Sequence, residues 1–430
     1  MAMVVKNNMS AISTLNTLNK NSSALSKSLQ KVSSGMKING AADDASGYAI
    51  SERMRVQIRG LDQANQNTQN GSSMMKVAEG AVSSTVDILK TLKEKVINAA
   101  NDTNTDADRQ TIQKELDQSI DQINDNANVT YNGKYLVDGS HNSSVTATTT
   151  SMTNQSLNTA TAFASTFNKL TDRNGNSLNI QSSDTITFSY VKEGKTTTVS
   201  VSGASKISDL INQVSTDIIA GTADSVIGKD VAGDTVFTAD GQSALTLKAN
   251  GTGIESQISG ITFSVTDTKG NVKKSANALL DNFSESIRAQ NGSLDNSINL
   301  QVGTKSNQAI KVGLTDMRAE ALGLQAQNGT TLNISTKEYA NAAINVLDNA
   351  VQKALDQQTT IGAVQSRLEY TSSNLTTASE NVQASESTIR DADMAKEMTN
   401  YTKNNVLMQA AQAMLSQANQ SSSSVLSLLQ

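Results

Sequence analysis

A seven-residue apolar repeat runs at each end of this chain and sets the tightest limit on its fold. Near the start, Ala11, Leu18, Leu25 and Val32 recur every seven residues. Leu15, Leu29 and Met36 fill the intervening positions, with Ser22 as the one polar gap. Near the end, Leu368, Leu375, Val382 and Ile389 repeat in the same way, then Met394, Tyr401, Met408 and Leu415 in a shifted phase. Such a seam, held over about four heptads, predicts a helix that packs lengthwise on another helix. The phase shift between Ile389 and Met394 predicts an irregularity or a break. The chain has no Pro, which suits long unkinked helices, since an interior Pro costs about 3 kcal/mol.

Between these seams the same period continues in shorter pieces. After the first helix, which reaches Ser34, Gly35 and Asn39-Gly40 break the pattern. A second helix is predicted from near Asp43 past Leu61, and a third from about Met74 to Asn101. Asp106 is placed to cap a helix from about Asp108 to Asn126, with Ile112, Leu116, Ile120 and Ile123 on one face. Tyr131 to Val137 reads as a tight turn with a short strand. Thr336 to Gln358 is helical, and Leu300 to Val302 with Ala309 to Leu314 reads as a hairpin that belongs with the helices.

The middle of the chain, roughly 142–292, has a different grammar. All six Phe lie between residues 163 and 283. Ile186, Phe188 and Tyr190 alternate with Thr and Ser, as do Val199 and Val201 beyond the turn Lys192-Glu-Gly-Lys195, which predicts a β-hairpin. Ile207, Leu210, Ile211 and Val214 follow at helical spacing, and Leu245/Leu247 and Ile261/Phe263/Val265 are further strands. Residues 143–183 are rich in Ser, Thr and Asn and show little pattern. The expectation is a β-rich insert with one small helix and its own Phe-containing core, carried on a mainly α protein. In that protein the long terminal helices pair as a coiled coil or helical bundle that includes a β-hairpin.

Composition removes most chemistry. There is no Cys, so neither a disulfide nor a thiolate is available, and the single His, His141, leaves too few ligands for His-based triads or zinc sites. Asp43-Asp44 has no His, nucleophile or metal cluster beside it in sequence, and reads as a helix cap or as an ion-pair partner of Arg53, Arg55 or Arg59 on a neighbouring subunit. The Met cluster at 394, 398, 408 and 414 reads as adaptable packing. A net charge of −5 with no basic bias argues against nucleic acid. No apolar run approaches the ~18 residues of a membrane span, and the start of the chain lacks the apolar segment of a secretory signal. The expectation is a structural protein with no cofactor, no metal and no membrane insertion, either cytosolic or exported by another machine.

The last forty residues carry apolar or Ala positions around about half the helix surface (394, 398, 401, 407, 408, 411, 414, 415 and 418). A helix apolar over that arc needs partners on several sides. A monomer closed by an antiparallel pair leaves it exposed, whereas a polymer built on a non-closing contact buries it.

Several ordered motifs then point to one family. Leu29-Gln-Lys-Val-Ser-Ser-Gly-Met-Lys-Ile-Asn39, with Ala42-Asp-Asp-Ala-Ser-Gly-Tyr-Ala-Ile-Ser-Glu-Arg-Met54, resembles the signature of bacterial flagellin. Ile58-Arg-Gly-Leu61, Asn65-Gln-Asn67 and Glu79-Gly-Ala81 continue it. Ala363-Val-Gln-Ser-Arg-Leu368, Ser385-Glu-Ser-Thr-Ile-Arg-Asp-Ala-Asp-Met-Ala395 and Gln409-Ala-Ala-Gln-Ala-Met-Leu415 are similar to the family's C-terminal pattern. The resemblance covers nearly all of 1–140 and about 296–430.

It implies three layers: 1–44 with 386–430 as an inner coiled-coil filament core, 45–141 with 293–385 as an outer helical tube that includes the hairpin, and 142–292 as a variable surface domain. It implies a secreted, extracellular homopolymer of the flagellar filament that serves swimming. Subunits leave unfolded through the flagellar type III channel, and an export chaperone holds the C-terminal helix. Filament cap and junction proteins are further partners. The core-packing residues are then Leu18, Leu25, Leu29, Val32, Leu375, Val382, Ile389, Met394, Met408 and Leu415, and the subunit contacts Asp43, Asp44, Arg53 and Arg59. The resemblance also implies recognition by the host innate receptor for flagellin through Leu89, Thr91, Lys95 and Glu115. Thr91 stands where strong activators carry Arg, and Lys95 stands at an apolar position, so weakened activation is expected. A hook–filament junction protein and an insert that acts as a surface adhesin are the alternative readings.

Overall fold

The computed structural model describes residues 8–428. In chain order the elements are α1 (Met9–Ser34), α2 (Ala45–Ala99), α3 (Asp106–Ala127), β1 (Thr130–Tyr131), β2 (Lys134–Tyr135), β3 (Ser151–Asn154), β4 (Thr185–Lys192), β5 (Lys195–Ser202), α4 (Ile207–Gln213), β6 (Ile218–Asp224), β7 (Val226–Lys229), β8 (Thr235–Phe237), β9 (Ala244–Ala249), β10 (Ile258–Thr266), α5 (Lys274–Leu280), β11 (Phe283–Ile287), β12 (Ile298–Gln301), β13 (Ala309–Val312), α6 (Lys337–Arg390) and α7 (Met394–Leu428). Long helices at both ends and a β-rich middle match the fold class read from the sequence. Residues 1–7 and 429–430 of the expected inner layer lie outside the described residues.

The chain forms two compact units. The terminal unit comprises the chain up to Thr68, Gln301–Gln308, and the chain from Tyr370 onward. The central unit comprises Gln69–Leu300 and Ala309–Glu369.

Helix ends follow local chemistry. Asn8 caps α1 by accepting from Ala11 N at 3.0 Å, and Gly35 ends it at φ 71°, a left-handed conformation that costs glycine little. Asp44 Oδ1 accepts from Ser46 N and Gly47 N, which satisfies the free amides that open α2. The cap of α3 is Thr105, not Asp106: Thr105 accepts from Asp108 N, and Asp108 accepts in return from Thr105 N. These bonds hold the Asp108 carboxyl below its ordinary range. The break between Ile389 and Met394 is real, since α6 ends at Arg390 and α7 starts at Met394.

Two predicted helices are one. α2 runs unbroken from Ala45 through Asn70-Gly71 to Ala99. Gly71 is buried, and a Cβ there would sit 2.7 Å from Leu300 Cδ1 of β12. The glycine is a close-approach residue within a helix rather than a breaker.

In the central unit the insert builds two antiparallel sheets, ordered β10-β4-β5 and β11-β3-β9-β6. Phe167, Phe188, Tyr190, Phe263, Leu210, Ile211, Leu245, Leu247 and Leu280, from both sheets and the neighbouring helices, form one core, with Phe163 and Phe283 packed at its margin. The ring centroids of Phe188 and Phe263 are 4.8 Å apart. Phe237 departs from expectation: it lies on the β7-β8 ribbon and is 59% exposed. The insert also holds a second helix, α5, and the unpatterned stretch 143–183 contains the fully buried strand β3. Its Ser, Thr and Asn side chains include Thr153 and Asn154, which find buried hydrogen bonds to Thr246 Oγ1 and to Leu279 O and Leu280 O.

The insert is fastened to α6 within the same unit. β10 bulges between Ser259 and Thr262, with Gly260 at φ 63°. A Cβ on Gly260 would lie 2.5 Å from Ala342 O, so only glycine brings the bulge this close to the helix.

Candidate functional site

The terminal unit is where most of the expected assembly residues lie. α1 and α7 run side by side, and their shared face is set by burial along each helix. On α7 a covered stripe runs through Glu397, Tyr401, Asn404, Met408, Ala411, Leu415 and Ala418, spaced alternately four and three apart, with Asn400 and Asn405 half-covered beside it. On α1 the covered column Ala11, Leu18, Leu25 and Val32 is the one the heptad predicted. The second column is not. Thr14, Asn21 and Ser28 fill it, whereas Leu15, Ser22 and Leu29 are exposed.

Half of this seam is therefore polar. Asn21 Nδ2 donates to Leu407 O at 3.1 Å, Asn404 Nδ2 to Ser28 Oγ at 3.0 Å, and Asn8 Nδ2 to Ala418 O at 3.1 Å. Polar side chains inside a helix pair hold register at some cost in stability. The apolar residues they displace lie outside the seam: Met9, Ile12 and Leu15 on α1, with Leu29 53% exposed. On α7, Met394, Met398, Val406, Leu407 and Met414 are exposed in the same way, and Met398, Val406 and Leu407 line a surface depression with Thr399, Thr402 and Lys403.

The remaining core-packing residues lie elsewhere in this unit. Leu375 is buried against Leu61 and Ala64 of α2, with Val382 and Ala378 beside it. Ser372 Oγ donates to Asn65 Oδ1 at 2.7 Å, and Ser379 Oγ to Asp62 Oδ1 at 3.1 Å, along the same pairing. Ile389 is half-buried, one residue before Arg390 closes α6.

Asp43 and Asp44 are used inside the chain. Asp43 Oδ2 accepts from Asn39 N at 3.1 Å, and Asp44 caps α2. Arg53 and Arg59 are exposed on α2. Sequence reasoning passed over Arg390. Its Nη1 lies 2.6 Å from Glu52 Oε1, and this bond is the main reason the Glu52 carboxyl sits below its ordinary range.

The expected receptor patch lies in the central unit and is not one surface. Leu89 is fully buried in the core of that unit, so it offers no contact to a partner. Helix α2 turns its Val82–Val86–Leu89–Val96 stripe inward, and Leu89 belongs to that stripe. Thr91 is exposed, its hydroxyl donating to Asp87 O at 3.0 Å, while Lys95 Nζ pairs with Glu115 Oε1 of α3 at 3.0 Å.

Among the described residues, no group of three or more His, Cys, Asp or Glu is placed to hold a metal. No described helix is long and apolar enough to cross a membrane.

Known proteins give the arrangement its context. Residues 5–142 match the bacterial flagellin N-terminal helical region, and 344–429 the C-terminal helical region. A flagellin of Clostridium tyrobutyricum is 36% identical over 423 residues, covering 97% of this chain and 99% of that one. The chain belongs to the flagellin family. A flagellin of Bacillus subtilis is 31% identical over 99% of this chain and 100% of its own length. A flagellar filament core protein of Treponema phagedenis is 30% identical with the same coverage. As a flagellin, the chain is a structural subunit of the extracellular flagellar filament and not an enzyme. Both family matches fall on the helical ends, and the β-rich insert lies between them.

Proposed function

We propose that α1 and α7 form the inner layer of a swimming filament, with residues 1–44 and 386–430 in the core, 45–141 and 293–385 around them, and 142–292 outward. One observation carries this reading. The intrachain seam is half polar, while Met9, Ile12, Leu15 and Leu29 of α1 and Met394, Met398, Val406, Leu407 and Met414 of α7 are left in solvent. Contiguous exposed apolar surface on a helix pair marks a protein contact. Identical copies are the partners the family supplies, and Arg53 and Arg59 stand exposed for contacts between them.

Export through the flagellar type III route, with a chaperone on α7, fits a chain that has neither Cys nor Pro to hinder unfolding and refolding. Cap and junction proteins are the partners at the filament ends. The test is growth: purified protein added to sheared filament fragments gives long filaments by electron microscopy. A junction protein gives only short caps, which would refute the subunit reading. Hydrogen exchange adds a second check, with fast exchange across α1 and α7 in the monomer and protection in the polymer.

Weak activation of the innate flagellin receptor follows from a separate set of residues, on α2 and α3 of the central unit. Leu89 is inward, Thr91 replaces a guanidinium, and Lys95 is already paired to Glu115. A receptor reporter assay that found the potency of an Arg-bearing flagellin would overturn this.

A further inference from the structure

The two connections to the α1–α7 pair, residues 35–44 from α2 and 391–393 from α6, lie side by side. Met36 and Asp391 form an antiparallel bridge, with Lys37 N donating to Arg390 O at 2.6 Å and Ala392 N to Gly35 O at 2.9 Å. Arg390 fastens the bridge. It is only 7% exposed, and its guanidinium reaches Glu52 at 2.6 Å, Ser51 Oγ at 3.3 Å and Met36 Sδ at 3.2 Å. It also lies 5.4 Å from the centroid of the Tyr48 ring. All of these residues belong to the terminal unit.

We infer that Arg390 is the positioning residue of a joint that makes α1 and α7 a single arm, and that an incoming subunit is incorporated only when this joint is closed. The inference rests on the filament reading. Its physical basis is the weakness of the arm itself. The seam between α1 and α7 is half polar, so the pair gains little from burial on its own. Two unlinked connections would let each helix swing separately, and the cost of ordering them would fall at the moment of incorporation. A guanidinium that grips one connection (Met36) and the first turns of α2 (Tyr48, Ser51, Glu52) from the end of α6 ties the two connections together, so that α1 and α7 are placed as one body rather than one at a time. Lysine cannot do the same, since a point charge does not span several acceptors and stack on a ring.

The test is seeded growth with full-length protein, read as the monomer concentration left at steady state. Arg390→Gln should raise that concentration at least about tenfold, the scale of losing one partner of a desolvated charged pair. Arg390→Lys should fall between Arg390→Gln and the native protein. The chain has no Cys, so a redox rescue is available. Facing residues of a bridge flanked by its hydrogen bonds have Cα atoms about 4.5 Å apart, within disulfide reach. Met36→Cys with Asp391→Cys in the Arg390→Gln background should elongate when oxidised and lose that gain when reduced. A merely structural arginine would not make growth redox-dependent. Native growth by Arg390→Gln, or no recovery on oxidation, would overturn the inference. So would loss of the central unit's thermal transition in Arg390→Gln, which would make the residue a general stabiliser. Failure of the native protein itself to grow on seeds would instead overturn the filament reading.

Discussion

The two units of this chain solve opposite problems. The central unit has a closed aromatic core: Tyr190, Phe167 and Phe188 are all under 2% exposed. The α1–α7 pair of the terminal unit buries little. Ser28 is the buried residue of α1, and Ala411 that of described α7, while the larger apolar side chains are half-covered or in solvent. One unit covers its large side chains within a single chain, and the other leaves the exposed α1 and α7 residues that the proposed filament contact would cover. The same hydrophobic residue types are therefore buried in one place and exposed in the other, and the polar column of Asn21 and Ser28 takes the place in the α1–α7 seam that Leu15 and Leu29 leave.

This contrast is broken most severely from the central side. Phe188→Ala should cost about 3–5 kcal/mol, the range for emptying an aromatic site in a packed core. Urea unfolding would show the loss in the central unit, with the helical signal of the terminal unit unchanged.

A smaller effect of opposite sign sits in the same core. Desolvation pushes Asp281 up to about 6, against an ordinary 3.8, although its carboxylate accepts a hydrogen bond from Phe263 N. With the folded value raised, the stability this group adds is full below pH 3.8 and is lost as pH rises through about 6. At pH 7 the ionised group therefore costs on the order of 3 kcal/mol. Asp281→Asn should stabilise the insert at pH 7 and flatten the slope between pH 4 and 6, as seen in thermal unfolding across that range. An unchanged slope would mean that the carboxylate is hydrated.

The smallest effect on the monomer belongs to the arm. Leu29→Ser should shift monomer stability by under about 0.5 kcal/mol, because the side chain is already 53% exposed. The same change should impair seeded elongation, measured by light scattering. A destabilised monomer with normal elongation would reverse the proposed roles of the two faces.

Periodicity made much of the fold legible. The a-column of α1, the break before Met394, the hairpin around Lys192–Lys195 and the amphipathic α4 all stand where their spacing puts them. Failures fall where a residue serves two elements at once. The continuity of α2 between the two predicted helices is not legible, because Gly71 packs on Leu300, 229 positions away in sequence. β3 is not legible because two of its polar side chains, Thr153 and Asn154, are buried and find their partners on β9 and at the end of α5, far away in sequence. Leu89 carries the resemblance to a receptor contact yet faces the core, since motif matching does not report which side of a helix is buried. Arg390 stood inside a recognised motif, but its role depends on Glu52, 338 residues earlier.

Residue order and composition already require long helices at both ends and an aromatic core in the middle, and they leave no Cys and a single His for chemistry. These follow from composition and from periods of seven and two, which are local properties. Only the tertiary structure decided which flank of α1 meets α7, because columns at i+3 and i+4 are both compatible with a heptad. It chose the polar one, and so left Leu15 and Leu29 outward. The physical reason is that a helix has two usable flanks. Burial along α1 picks the flank of Thr14, Asn21 and Ser28, where Asn21 and Ser28 find hydrogen-bond partners on α7, a choice that a seven-residue period does not encode.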